Sequence, residues 1–318
     1  MTAIETSGLT KSYRVGFWRK TEKVGLKNLT LEVNEGEVFG FLGPNGAGKT
    51  TTLKLLMGIT FPTSGTMRIL GKAVGDPEVK AQVGFLPEQP YFYDYLTAFE
   101  LLNYYAQLSG VPQKGRKDRV MAMLDRVGMS EAANVQLRKF SKGMLQRVGI
   151  AQSIVHDPKV VFLDEPMSGL DPVGRREVRD LIQSLNDEGK TVFFSTHILA
   201  DAEAICDRVA VLHKGELKGV GVVADLMKQH AHSTELVCEG KAAAAALKSA
   251  LPSVECRVTG DTVRAVIPDD KNYTAIEAVR ASGARLISVI PVRGSLEDFF
   301  MTRVEQVQVQ EAKAKAKQ

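Results

Sequence analysis

Eight consecutive residues limit this chain's fold more than any other feature: Gly43-Pro-Asn-Gly-Ala-Gly-Lys-Thr50. They follow a short β-rich run, Glu37 to Leu42, and open a helix-forming run, Lys49 to Met57, that Gly58 and Pro62 stop. The order is strand, glycine loop, helix. Glycines at this spacing let successive backbone N–H groups turn inward at a helix N-terminus, where they hold phosphate oxygens. Lys49 is placed to reach the β and γ phosphates of a nucleotide and Thr50 to reach its Mg²⁺. An α/β fold is the expected class.

With 318 residues the chain is long enough for roughly two domains. Hydrophobic residues at 44% and charged residues at 25% allow an ordinary buried core and exclude a disordered or fibrous chain. No apolar run reaches a bilayer-spanning length and the first eight residues lack a signal-peptide core, so a soluble chain on the cytoplasmic side is expected. A net charge of +4 is too small to indicate nucleic acid, and none is expected as a partner. Cys206, Cys238 and Cys256 lack zinc-site spacing.

Leu9 to Leu31 reads as strand at both ends, interrupted by an exposed hairpin or loop over Val15 to Lys23 that carries Phe17 and Trp18. From about residue 76 to 157 the pattern is helical and β-poor, with Leu96, Phe99, Leu102 and Leu108 as apolar faces, and reads as an inserted helical subdomain. Strands follow at Val160 to Leu163, Val192 to Ser195 and Val209 to Leu212, the last in a hairpin with Glu216 to Val220. Between them Asp171-Pro172 opens a helix with Val178, Leu181, Ile182 and Leu185 on one stripe. The first domain is expected over 1–231. The rest reads β-α-β-β-α-β, a small ferredoxin-like α+β domain over 232–303 with His230 and His232 beside its start. A last short helix, Ser295 to Arg303, and a mobile tail over 304–318 complete the expectation.

Val160-Val-Phe-Leu-Asp164-Glu165 sets two carboxylates at the end of a buried strand. Asp164 would hold Mg²⁺ through water, and Glu165 would polarise the attacking water as general base or at least as its orienting acceptor. Ser141 is a good N-cap for a helix whose Met144, Val148, Ala151 and Val155 share a face.

Together these residues resemble the ATP-binding cassette ATPases, through Gly43 to Thr51, Ser141-Lys-Gly-Met, Leu163-Asp-Glu-Pro166, Ser168-Gly-Leu-Asp171 and His197. The resemblance covers roughly residues 4 to 231 and implies a P-loop NTPase fold. It implies that Gly43, Pro44, Asn45, Gly46, Ala47, Gly48, Lys49, Thr50 and Thr51 hold ATP, with Tyr13 stacking on adenine, Phe17 or Trp18 being substitutes. Ser141, Lys142, Gly143 and Asp171 would meet ATP bound to a second chain, His197 would sense the γ-phosphate, and Lys49, Glu165 and His197 would carry catalysis. Glu88 or Gln89 would join Thr50 and Asp164 around Mg²⁺. The Lys142 and Met144 variations resemble the branch of drug, lipid and polysaccharide exporters. The implied protein is a Mg²⁺-dependent ATPase that dimerises and drives a separate integral membrane permease, peripheral on the cytoplasmic face of the membrane. The alternative is a cassette ATPase acting on nucleic acid or an assembly substrate. Such relatives carry a long coiled coil or two cassettes in one chain, and neither is present.

Overall fold

The computed structural model describes residues 1–15, 21–229 and 233–292, with Leu296, Glu297 and Phe299. Phe17, Trp18, His230, His232 and the segment 301–318 lie outside the described residues, and with them the expected hairpin tip and tail; of the expected final helix, Leu296, Glu297 and Phe299 are described and helical. Two compact units are present. The first runs to Val223, ahead of the boundary expected at residue 231, and the second begins at Ala224.

In chain order the first unit contains β1 (Thr2–Val15), β2 (Thr21–Asn34), β3 (Val38–Leu42), α1 (Lys49–Leu56), β4 (Ser64–Ile69), β5 (Lys72–Ala73), α2 (Pro77–Ala81) and β6 (Val83–Leu86). There follow α3 (Ala98–Leu108), α4 (Arg116–Arg126), α5 (Lys142–Ile154), β7 (Val160–Asp164), α6 (Pro172–Asp187), β8 (Thr191–Thr196), α7 (Leu199–Ile205), β9 (Arg208–His213) and β10 (Glu216–Val222). One sheet is antiparallel, in the order β2-β1-β4-β5. The other places β9-β3-β8-β7-β6 in parallel, with β10 antiparallel on the β9 edge.

Every residue of β3, β7 and β8 is buried, as parallel strands covered on both faces require. Phe39, Phe193 and Phe162 stand opposite one another on β3, β8 and β7. Their rings meet at 5.5 and 5.7 Å, Phe41 adds a contact to Phe193 at 5.3 Å, and Leu53, Leu55 and Leu56 of α1 join the same core. Aromatic pairs at these distances add attraction beyond their burial. The sheet centre is thus a stiff platform below the strand ends.

The stretch 76–157 is not purely helical. Val83–Leu86 pairs in parallel with Val160–Leu163, so β6 belongs to the central sheet. Four residues are too few to show a period against helical flanks. On α3 the buried residues are Ala98, Leu101, Leu102 and Ala106, while Leu108 is exposed, so the stripe is rotated from the expected one. Thr97 and Glu100 form a reciprocal capping box that starts this helix. On α6, Val178, Leu181, Ile182 and Leu185 are buried at the expected spacing.

The second unit takes in most of α8 (Val223–Gln229), then β11 (Ser233–Glu239), α9 (Ala242–Ala250), β12 (Cys256–Thr259), β13 (Thr262–Pro268), α10 (Asn272–Ala281) and β14 (Arg285–Val292). The sheet order β12-β13-β11-β14, antiparallel throughout, is the ferredoxin-like arrangement. Its core holds Leu236, Cys238, Leu247, Val263, Ile267 and Val279.

Candidate active site

The carboxyl ends of β3, β8 and β7 lie side by side, and each leads into a polar group. After β3 the glycine loop packs hard against its surroundings. A Cβ on Gly43 would collide with the Leu212 carbonyl, and one on Gly48, whose φ is 110°, would lie 2.5 Å from the Gly25 carbonyl oxygen. No other residue type fits either place without moving backbone. Lys49 opens α1 with its side chain buried, and Nζ donates to the Gly43 carbonyl at 2.6 Å. The same ammonium lies 3.0 Å from Glu165 Oε1, an ion pair without hydrogen-bond alignment.

Asp164 and Glu165 are both buried at the end of β7. Ser195 at the end of β8 ties them together: its Oγ donates to Asp164 Oδ1 at 2.5 Å and accepts the Glu165 N–H at 3.1 Å. Burial pushes the Asp164 carboxyl up from its ordinary value, opposed by hydrogen bonds from Ser195 and Thr50. Glu165 adopts φ 50°, a left-handed conformation rare outside glycine. Its Oε2 lies 2.9 Å from His197 Nδ1, which acts as the donor because a carboxylate accepts. Lys49, Glu165 and His197 therefore form one chain of contacts across three strand ends.

A cleft of about 550 Å³ opens beside this chain, lined by Tyr13, Pro44 to Thr51, Glu88 and Glu165, with Arg14 and Lys23 supplying further positive charge. Such a volume suits a nucleotide. The Tyr13 ring passes so close to Gly25 that a Cβ there would sit 2.8 Å from it, and the Lys11 ammonium lies 5.2 Å from its centroid. Of the two candidates on the loop after β6, Glu88 lines the cleft and Gln89 is exposed without doing so.

Ser141, Lys142, Gly143 and Asp171 are not among the residues lining that cleft. Ser141 Oγ accepts the Met144 N–H at 3.3 Å and caps α5, and Asp171 Oδ1 accepts the Gly174 N–H at 2.8 Å and caps α6. The two helix starts are neighbours, since a Cβ on Gly143 would lie 3.7 Å from Leu170 Cδ2. Sequence reasoning missed Ser195 as a functional residue. Its signal was modest: a hydroxyl directly after three apolar residues, Val192 to Phe194, facing Asp164 31 residues away.

Comparison with known proteins agrees with this geometry. Residues 26–168 match the family described as ABC transporter. An uncharacterized ABC transporter ATP-binding protein of Synechocystis is 45% identical over 95% of this chain and 85% of its own length. The bacitracin transport ATP-binding protein BcrA of Enterococcus faecalis is 35% identical over 93% of this chain and 94% of its own. Among solved structures, the dimeric post-hydrolysis state of the ATP-binding cassette MJ0796 bound to ADP and Pi superposes with a TM-score of 0.64 at 26% identity, covering 69% of this chain and 98% of that one. A glycine loop, a serine-linked acid pair and a histidine at three adjacent strand ends, with relatives aligned over nearly the whole chain, place this protein in the ABC transporter family as an ATP-binding subunit.

Proposed function

We propose that this subunit hydrolyses Mg²⁺-ATP between two head-to-tail copies of the chain and thereby drives export through a separate membrane permease. The observation that carries the reading is Glu165, buried at the cleft wall between Lys49 and His197 with one carboxylate oxygen toward each. A base in that place can accept a proton from water attacking a phosphate held by the loop. The donor set fits both absent groups. The loop offers backbone N–H groups and an ammonium for phosphate oxygens, and Asp164 with the Thr50 hydroxyl offers hard oxygen donors to Mg²⁺. When bound, Mg²⁺ would neutralise phosphate charge.

Within the chain Lys49 would bind the β and γ phosphates, Glu165 would take the proton of the attacking water, and His197 would hold Glu165 in place and register the γ-phosphate. Tyr13 would carry the adenine. Ser141, Lys142, Gly143 and Asp171, lying away from the cleft, suit the facing surface of a second chain, and the solved dimer of MJ0796 supports such pairing. A groove of about 390 Å³ on the segment that follows Glu88 and Gln89 in sequence, lined by exposed Tyr91, Tyr93 and Tyr95 with Phe92, Phe140 and Leu145, would receive a cytoplasmic segment of the permease. Export is supported by the Ser-Lys-Gly-Met resemblance, and a transport role by the bacitracin transport relative. No helix of the described residues is long and apolar enough to cross a membrane.

Affinity purification of the tagged chain from membranes, followed by phosphate release with Mg²⁺-ATP, tests the proposal. Co-purification of a polytopic membrane protein with ATP turnover is expected. Absence of turnover, or recovery wholly without a membrane partner, would overturn it.

A further inference from the structure

The first turn of α5 holds a cation where a helix least favours one. Lys142 is the first helical residue, the turn carries no acidic side chain, and the ammonium has no carboxylate partner among the described residues. Its stem has a definite seat, however. It crosses the face of Gly169, where a Cβ would lie 3.1 Å from Lys142 Cε and 3.4 Å from Cδ and would collide with Nζ. Gly169 has φ 70°, so the backbone there is turned to present only hydrogen to the lysine. One residue along each chain segment, Gly143 faces Leu170. The start of α5 and the loop after β7 are therefore fitted together at two successive points.

That loop begins at the catalytic carboxylate. Ser168 N–H donates to the Glu165 carbonyl at 3.1 Å and Leu170 N–H to the Met167 carbonyl at 3.4 Å, so residues 165–170 form a run of tight turns anchored by buried Met167. These turns and the buried Met167 side chain tie Gly169 to Glu165. We infer that Lys142 is a positioning residue for ATP hydrolysis: its aliphatic stem, lodged on Gly169, fixes the loop that carries Glu165 and Asp171, while its charge is dispensable for that task. Long cationic side chains can pack through their methylene stems as well as act through their charged heads, and here both Cδ and Cε lie against Gly169 beside Nζ. The inference rests on the hydrolytic reading above and gives Lys142 a part different from phosphate contact.

Stem and charge are separable by substitution in the full chain. Lys142→Ala removes both and should lower kcat about tenfold with KM for ATP changed less than about twofold, because a misplaced base slows the chemical step without touching ground-state binding. Lys142→Met keeps an unbranched apolar stem without charge and should restore most of the rate. Gly169→Ala should slow the wild type both by straining the left-handed backbone and by obstructing the seat, and slow Lys142→Ala less because only the strain remains there, a non-additive pair as expected of residues in contact. In a Glu165→Gln background, which traps the ATP-bound dimer, Lys142→Ala should need no more ATP for half-maximal dimer on size exclusion. The inference is overturned if Lys142→Met is as slow as Lys142→Ala while Lys142→Arg is normal, or if the two sites combine additively. It is equally overturned if Lys142→Ala raises KM or the ATP needed for trapping, which would make the ammonium a phosphate ligand. Absence of turnover in the wild type would refute the hydrolytic reading itself.

Discussion

Glu165→Gln separates binding from chemistry at this site, and the structure sets the size of both effects. Glutamine keeps the shape of the side chain: its amide oxygen can face Lys49, and its NH₂ can donate to His197 Nδ1 once the imidazole carries its proton on Nε2 instead. What it loses is the ability to accept the proton of an attacking water. General-base catalysis contributes about 10²- to 10⁴-fold, equivalent to roughly 3–5 kcal/mol of activation free energy, so turnover should fall by that factor. Binding should move the other way. In the free chain Lys49 is held by Glu165 at 3.0 Å, with both side chains only 7% exposed, and phosphate must draw the ammonium out of that pair. Removing the competing carboxylate should tighten ATP binding by about tenfold, the worth of one charge-assisted contact. Phosphate release at saturating ATP, fluorescent-nucleotide titration and size exclusion with ATP measure the three consequences: a slow rate, a lower Kd and a trapped dimer. A variant that hydrolyses at the wild-type rate, or binds ATP more weakly than the wild type, would refute the placement of Glu165 between its two partners.

Asp164→Asn should abolish ATPase activity yet melt above the wild type at pH 7. Burial raises the pKa of this carboxyl, so the folded state loses stability as pH rises from the ordinary value of 3.8 through the raised one, and the gain in melting temperature should vanish when scans are repeated below that window. Asp201 is fully buried between Arg175 at 2.8 Å and Arg179 at 3.4 Å, joining α6 to α7. Asp201→Asn should cost about 2 kcal/mol in denaturant unfolding, below the value for a wholly buried pair because both arginines reach solvent; an unchanged midpoint would contradict the ion pairs. Glu216, bonded by Lys218 and Lys27, has its carboxyl lowered to about 2, so its contribution is complete above pH 4.5 and is lost as pH falls toward 2. Glu216→Gln should flatten the acid limb of the stability curve while costing under about 1 kcal/mol at pH 7, since Lys27 is largely exposed.

The glycine loop, the acid pair and the strand before His197 were legible because their chemistry is local. Glycine at 43 and 48 answers to backbone crowding, and fully apolar runs such as Val160 to Leu163 have no helical alternative of that length. The α5 cap was legible in Ser141 and the apolar face behind it, whereas Glu88 and Tyr13 were named as site residues only through family resemblance, because an exposed acid or a strand tyrosine has many uses. The β6 strand was hidden because its four residues gain their identity from β7, more than seventy positions later. Ser195 was hidden for the same reason, its two partners being on another strand. Contacts of long sequence separation leave no periodic trace, and the rotated stripe of α3 shows that even a periodic helix does not name which side meets its neighbours.

The left-handed backbone at Glu165 has a consequence for how this site can vary. A residue with a Cβ costs about 1–2 kcal/mol in that conformation, and glycine, asparagine and aspartate bear it best. None of the three reaches as far as glutamate toward both Lys49 and His197. Selection for a sturdier chain and selection for turnover therefore pull this one position in opposite directions, and a lineage freed from the need to hydrolyse ATP would be expected to drift here first, toward a shorter side chain and a calmer backbone.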